Sequence, residues 1–473
     1  MLLKLSKFCL YAAVFSVIIV VTNTFFPFIG VKYYFFRTAV SLSLLFFFLW
    51  WAFEAAKGEV LERFRKIARN PLFIAVSVFV FFYLLASLFA YDSHSAFWSN
   101  FERGEGGFQM IHYYLFFLLL SLIIRDKKDW KRIFQLSIIA GVLMILYGAL
   151  AQLGIVNGLI SPYQGGAPSG FWNRFTEARF QGSLGNPAYV APYLIFTIFY
   201  TAYLWFVSQI KKRWVKHLSY GSLFFFLLFF FYVSKTRGAL VGLGIATLVF
   251  LIYLLISSQK ETKKWAIFGL SLSAFFIVLV AVVSFYLSPL CAKSNCSSFA
   301  KNLSSNRLLT LSLGNESFQT RLWTWGSAWQ GFKERPLLGW GPENFSSVFD
   351  KHFDPRHYIA GTNSETWFDR AHSVVFDYLA ETGLLGFLSY LAIFVVFYWQ
   401  LFKKIKLPKP ENTETHLAGS SLKPLLTGLI IVLPIGYFIQ GLALFDVLPI
   451  YLNLFLFLAF SVYQLNKHYE PTL

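Results

Sequence analysis

Runs of about 18 to 22 apolar residues recur along the 473-residue chain, divided by short polar segments. That is the length a helix needs to cross a hydrocarbon layer roughly 30 Å thick. The pattern predicts spans at about residues 8–28, 34–53, 72–91, 108–124, 133–154 and 188–208, then at about 218–234, 239–256, 266–287, 374–402, 424–442 and 447–465. One stretch, 288–373, is long and polar enough to fold in water. The expected organisation is a membrane part with the first nine helices over 1–287, a large extracytoplasmic helical loop over 288–373, and a membrane part with the last three helices over 374–473. The fold class is an all-α polytopic membrane protein of about twelve helices.

The polar stretch has a pattern of its own. A Trp-rich helical run is expected over 318–332, around Arg321, and a Pro/Gly turn follows over 336–342. The stretch closes on Arg370-Ala371-His372. Residues 366–382 read as a helix ended by Gly383, with His372, Phe376 and Leu379 on one face. On such a helix Glu381 lies too far along for direct contact with His372. Upstream, a loop over 155–187 carries Gly165-Gly166, Pro168, Trp172, Arg174 and the run from Arg179 to Asn186-Pro187. The tight turn Lys235-Thr236-Arg237-Gly238 joins two spans.

Composition fits the membrane reading: 57% hydrophobic, 20% aromatic, only 14% charged, with mean hydropathy +0.57. A soluble domain carries about 25% charged residues. The net charge of +18 raises the question of nucleic acid, but the basic residues cluster between apolar spans, at 57–69, 125–132, 211–216, 260–264 and 403–409. These loops alternate across the spans as cytoplasmic loops should, and they suit the anionic inner leaflet. No nucleic-acid module accompanies them. Both termini are then cytoplasmic, and the N-terminal apolar run reads as a retained helix, because it is long and no small-residue cleavage site follows. Cys9 lies in the first span, while Cys291 and Cys296 open the large loop as a local disulfide or as two thiols. No Cys/His spacing reads as a metal site.

Four arginines stand on the side where the topology rule disfavours cations: Arg179, Arg237, Arg321 and Arg370. Each has two readings. A guanidinium can snorkel to lipid headgroups, or it can fork onto phosphate oxygens with paired hydrogen bonds. The first is weaker at Arg237 than at the others, since a tight turn between helices hardly needs a cation. His372 is either a structural histidine or a neutral imidazole placed to take a proton from a hydroxyl near pH 7.

Several of these residues together resemble the O-antigen ligase and O-antigen polymerase family. The similar segments are Arg321-Leu322-Trp323 with Trp329, the run Pro336-Leu337-Leu338-Gly339-Trp340-Gly341 with Phe345, and Ala371-His372-Ser373 followed by Leu379, Glu381, Gly383 and Gly386. Arg179 to Pro187 is similar to the family's Arg…Gly…Asn-Pro segment, and Thr236-Arg237-Gly238-Ala239 to its Ser-Arg-Gly turn. Ser373 departs from the pattern, where an Asn often follows the His, and so does Tyr189 after Asn-Pro. The resemblance implies a GT-C-like glycosyltransferase of the inner membrane, inverting and needing neither metal nor other cofactor. The donor would be a glycan on undecaprenyl diphosphate and the acceptor a lipid, a glycan or a protein hydroxyl. Carried over, Arg237 and Arg321 grip the diphosphate and His372 activates the acceptor, with Arg179, Arg370 and Asn186 in the substrate-binding shell. Alternatives are a polysaccharide polymerase or protein O-oligosaccharyltransferase and, in other classes, a carrier or flippase for such lipids or a structural partner in envelope assembly. The absence of a clear internal repeat and the scarcity of charge inside spans count against a carrier.

Overall fold

The computed structural model describes residues 1–56, 58–100, 102–155, 171–176, 178–293, 296–306, 308–309, 316–358, 366–406 and 419–466. Gly165, Gly166, Pro168, Lys57 and the last residues, 407–409, of the basic segment 403–409 lie outside the described residues. The described chain is helical, without strands, as a membrane solvent demands: no water reaches the backbone there, so its polar groups must be bonded within the segment. The helices are α1 (Leu2–Ala13), α2 (Gly30–Phe53), α3 (Glu59–Ala68), α4 (Pro71–Leu88), α5 (Ser93–Trp98), α6 (Gly107–Ile123), α7 (Lys127–Gln152), α8 (Phe171–Thr176) and α9 (Pro187–Val207). They continue as α10 (Arg213–Val233), α11 (Arg237–Ser257), α12 (Lys260–Val282), α13 (Ser288–Lys293), α14 (Ser298–Ser305), α15 (Glu316–Glu334), α16 (Phe345–Lys351), α17 (Val374–Lys406), α18 (Gly419–Gly441) and α19 (Leu448–Leu465).

Ten helices among the described residues are long and apolar enough to cross a membrane, and α6 is a shorter apolar one. The protein is an all-α polytopic membrane protein. The first expected span, 8–28, is corrected. It forms α1 and a 3₁₀ turn, Val14–Ile18, after which the chain leaves helical geometry and turns back through a Val21 N–H bond to the Pro27 carbonyl, 3.2 Å. Lys32 from α2 holds the freed carbonyls of Val17 and Ile19. Thr24 turns onto the Val21 carbonyl through its N–H and its hydroxyl, at 3.4 and 2.9 Å, and Pro27 has no N–H to donate, so the apolar stretch ends early.

Two ends of the bundle can be told apart by their contacts. At one end Met1 pairs with Glu54 at 2.9 Å, Lys7 with Asp129 at 2.5 Å, and Lys404 with the Gln464 carbonyl. At the other end the inter-helix loops and the large loop meet. There the start of α4's neighbour loop is bonded to the large loop: Tyr91 N–H donates to Trp340 O, 2.8 Å, and Asn344 exchanges two bonds with the backbone of Asp92. The large loop has its own small core of Ala328, Trp340, Phe345, Val348, Phe349 and Phe368. Its first helical segment continues from α12 through a π turn, Val283–Leu287, and Cys291 is disulfide-bonded to Cys296.

α17 decides the geometry of this end. It is two helices merged across Gly383, whose φ of 64° and ψ of −166° break the ladder. The orphaned backbone groups are met by the Pro336–Gly341 turn. Trp340 and Gly341 N–H donate to Ala380 and Glu381 carbonyls at 2.9 and 2.8 Å, and Leu384 N–H donates to Pro336 O at 2.7 Å. A Cβ on Gly383 would lie 2.4 Å from the Leu337 carbonyl carbon, and one on Gly339 2.5 Å from that of Glu381. The two glycines are required by backbone meeting backbone.

Candidate functional site

His372 lies just ahead of α17, not on a helix face. The expected helix over 366–382 is corrected: helical geometry starts at Val374. His372 has φ 54°, a left-handed conformation uncommon outside glycine. Three bonds hold the turn on both sides of it. Ala371 N–H donates to Asp377 Oδ1 at 2.6 Å, Asp377 N–H to Ser373 O at 2.8 Å, and Val374 N–H to Leu444 O at 3.1 Å. The early carboxylate of α17 thus caps a turn that propensity alone would extend into helix.

The imidazole is half-buried, edge-on to Phe368 and Phe445 at 5.3 and 5.2 Å between ring centres. Nδ1 lies 3.2 Å from the Arg370 carbonyl, which can only accept. Nδ1 therefore carries the proton and Nε2 is the basic atom. Burial, and after it the charge of Arg321, push the His372 pKa down to about 4. The ring is neutral at physiological pH.

Arg321 reaches this point because α15 docks its face on the His372 turn. Trp325, one turn further along α15, donates Nε1–H to the Ala371 carbonyl at 2.9 Å and stacks on Phe376. Arg321 and Trp325 share a face at i, i+4. Arg237 is the first residue of α11, where a cation opposes the helix dipole and so does not serve helix stability. Its turn is braced by Arg179, which donates to Ser234 O and Thr236 Oγ1 at 3.1 Å each, while Thr236 Oγ1 donates to Pro187 O at 3.0 Å. The next residue, Gly238, packs against Ala443 in the turn between α18 and α19. That same turn supplies Leu444 to Val374 and Phe445 to His372. It brings the segments of Arg179, Arg237 and His372 to one end of the bundle.

Two expected site residues have other surroundings. Asn186 caps α9, accepting from Ala188 N–H at 2.8 Å. Arg370 is buried between carboxylates: Nη1 donates to both oxygens of Glu381 at 3.0 and 2.9 Å, and Nη2 pairs with Glu343. Glu381 is thus in direct contact with the arginine rather than with His372. Sequence reasoning missed Arg103, which bonds Asp369 Oδ2 at 2.7 Å and Tyr189 Oη at 2.8 Å and lies over the Phe445 ring at 5.1 Å. Its signal was a charged Glu-Arg-Gly-Glu run in a loop otherwise rich in glycine.

Residues 222–391 match the family model described as O-antigen ligase. Over that segment the chain is similar to the O-antigen ligase family. The matched segment holds Arg237, Arg321, Arg370, His372 and the whole interlock of the Pro336–Gly341 turn with α17. The match supports assignment to the O-antigen ligase and polymerase family, whose members are glycan-transferring enzymes acting on lipid-linked glycans in a membrane setting. No curated protein matches the chain.

Proposed function

We propose that the chain transfers a glycan from undecaprenyl diphosphate to an acceptor hydroxyl at the outer face of the inner membrane. The observation that carries this reading is a neutral, backbone-oriented imidazole under the charge of Arg321, at the end of the bundle where Arg237 opens α11. His372 Nε2 takes the proton of the acceptor O–H. The freed oxygen forms a bond to the anomeric carbon as the bond from that carbon to the phosphate oxygen breaks. The electron pair departs with undecaprenyl diphosphate, and attack from the opposite face inverts the centre. Arg237 and Arg321 bind the diphosphate and stabilise the charge that grows on the leaving oxygen. The Cys291–Cys296 bridge fits an oxidising compartment for the large loop. The lysines gathered at the opposite end fit the cytoplasmic face.

The test is a purified donor–acceptor assay in lipid nanodiscs. His372→Gln keeps a hydrogen-bonding group but takes up no proton, and transfer is expected to fall by a factor of roughly a hundred or more. Transfer at the parental rate by this variant would leave His372 a structural residue and remove the mechanism.

A further inference from the structure

Arg370 stands two residues before the base, and its guanidinium is fixed at both ends of the α17 break. Glu381 belongs to the last turn before Gly383, and Glu343 follows the Pro336–Gly341 turn that fills the break. Arg370 is 7% exposed and Glu381 3%. Glu381 Oε1 also accepts from the Glu343 N–H at 3.1 Å, and Glu343 Oε2 accepts from Ser99 Oγ at 2.7 Å. Every member of the cluster therefore has a partner on a different segment.

Glu343 and His372 are both left-handed without being glycine, at φ 63° and 54°. Such conformations persist only where the surroundings over-determine them. Here one arginine is bonded to both: its guanidinium pairs with Glu343, and its carbonyl accepts the His372 Nδ1–H. The carbonyl fixes the tautomer, while the guanidinium fixes where that carbonyl points. A buried ion cluster is weak evidence for stability, because desolvation opposes the Coulomb gain. Its value lies in excluding other arrangements.

We infer that Arg370, Glu381 and Glu343 are positioning residues, which transmit the break in α17 to the orientation of the His372 ring. This rests on His372 being the base. Releasing the cluster moves Nε2 relative to the acceptor without touching the donor's diphosphate. Displacement of a reacting group by about 1 Å costs up to a hundredfold in rate.

The variants are Glu381→Ala, Glu381→Gln and Arg370→Lys in the full-length protein in nanodiscs. Glu381→Ala and Arg370→Lys are expected to lower kcat roughly ten- to a hundredfold with donor KM within about threefold. Glu381→Gln, whose amide oxygen still accepts from both donors, is expected to recover much of that loss. Independently of transfer, the His372 imidazole, assigned by NMR from the His372→Gln difference, should titrate near 4 in the parent and shift away from that value in Glu381→Ala, because the ring loses its fixed place against the Arg370 carbonyl. If Glu381→Ala does not fold, Arg370→Lys decides by the same two readouts. Parental kcat together with an unmoved titration overturns the inference, as does a loss that appears equally in KM and kcat. A parent that transfers no glycan overturns the proposed function instead, and the titration still decides the positioning role.

Discussion

Residues 374–382 and 384–406 are both helical, joined through Gly383, yet their surroundings have little in common. The first piece is enclosed: Val374, Asp377, Tyr378, Ala380, Glu381 and Thr382 are all buried. Two of these are carboxylates, and each is bonded to a neighbour outside the helix. The second piece is two-faced. Tyr390, Ile393, Phe397 and Leu401 pack inward, while Leu384, Leu388, Val395, Trp399 and Phe402 are exposed, as lipid-facing positions are. One helix of 33 residues thus contains a site-building segment and an anchoring segment. The break lets the first depart from the packing rules of the second.

The comparison can be broken most severely at the joint. Gly383→Ala introduces a Cβ 2.4 Å from Leu337 backbone at φ 64°. Backbone strain and overpacking together should cost about 3 kcal/mol or more. Glycan transfer should be lost and the melting temperature of the purified protein should fall by several degrees; an unchanged melting curve would mean the interlock is absent in the membrane.

A smaller effect, confined to the site side, is expected at Arg321. Lys keeps the charge but loses the fork geometry. Loss of one charge-assisted bond of about 1.5 to 3 kcal/mol slows transfer roughly ten- to a hundredfold at about 1.4 kcal/mol per decade. Initial rates within about twofold of the parent would favour headgroup snorkelling.

The pH response sharpens the same contrast. The free protein's His372 is held near 4, below its ordinary 6.5. Between those values the unfolded chain takes up a proton that the folded one refuses. The stabilising contribution is full above about 6.5 and is lost as pH falls toward 4. His372→Gln should flatten that part of the stability profile. Binding of an anionic diphosphate favours the protonated ring, so the acid limb of kcat should lie at higher pH than that of kcat/KM. Coincident limbs would place the anion away from His372.

The smallest effect belongs to the anchoring piece. Leu388→Ala and Val395→Ala, at 50% and 67% exposure, should alter stability by less than about 0.5 kcal/mol and leave kcat unchanged. A large loss at either would reveal a packing partner on that face.

Much of the fold was legible because hydrophobic run length is a local property, and most spans follow it. The first run misled because Lys32, a residue of the next helix, satisfies the carbonyls where α1 and its 3₁₀ turn give out. The polar loop's chemistry was legible as residue types, and the charge of Arg321 acts on His372. The partners of Arg370 were not. Glu343 and Glu381 reach it only because the Pro336–Gly341 turn fills a gap in α17, and no periodicity announces that a helix is broken to receive a turn. Arg103 was hidden for the same reason, since Asp369 lies 266 residues away.

The bonds between Asp92 and Asn344 span 252 residues. A ribosome adding about 5 to 20 residues per second makes Asn344 roughly 13 to 50 s after Asp92. Through that interval the α4–α6 loop has emerged but its clasp has not yet been synthesised. The Asp92 backbone groups that Asn344 will bond are met by water until then, and the early helices must hold their places without the large loop that later ties them together.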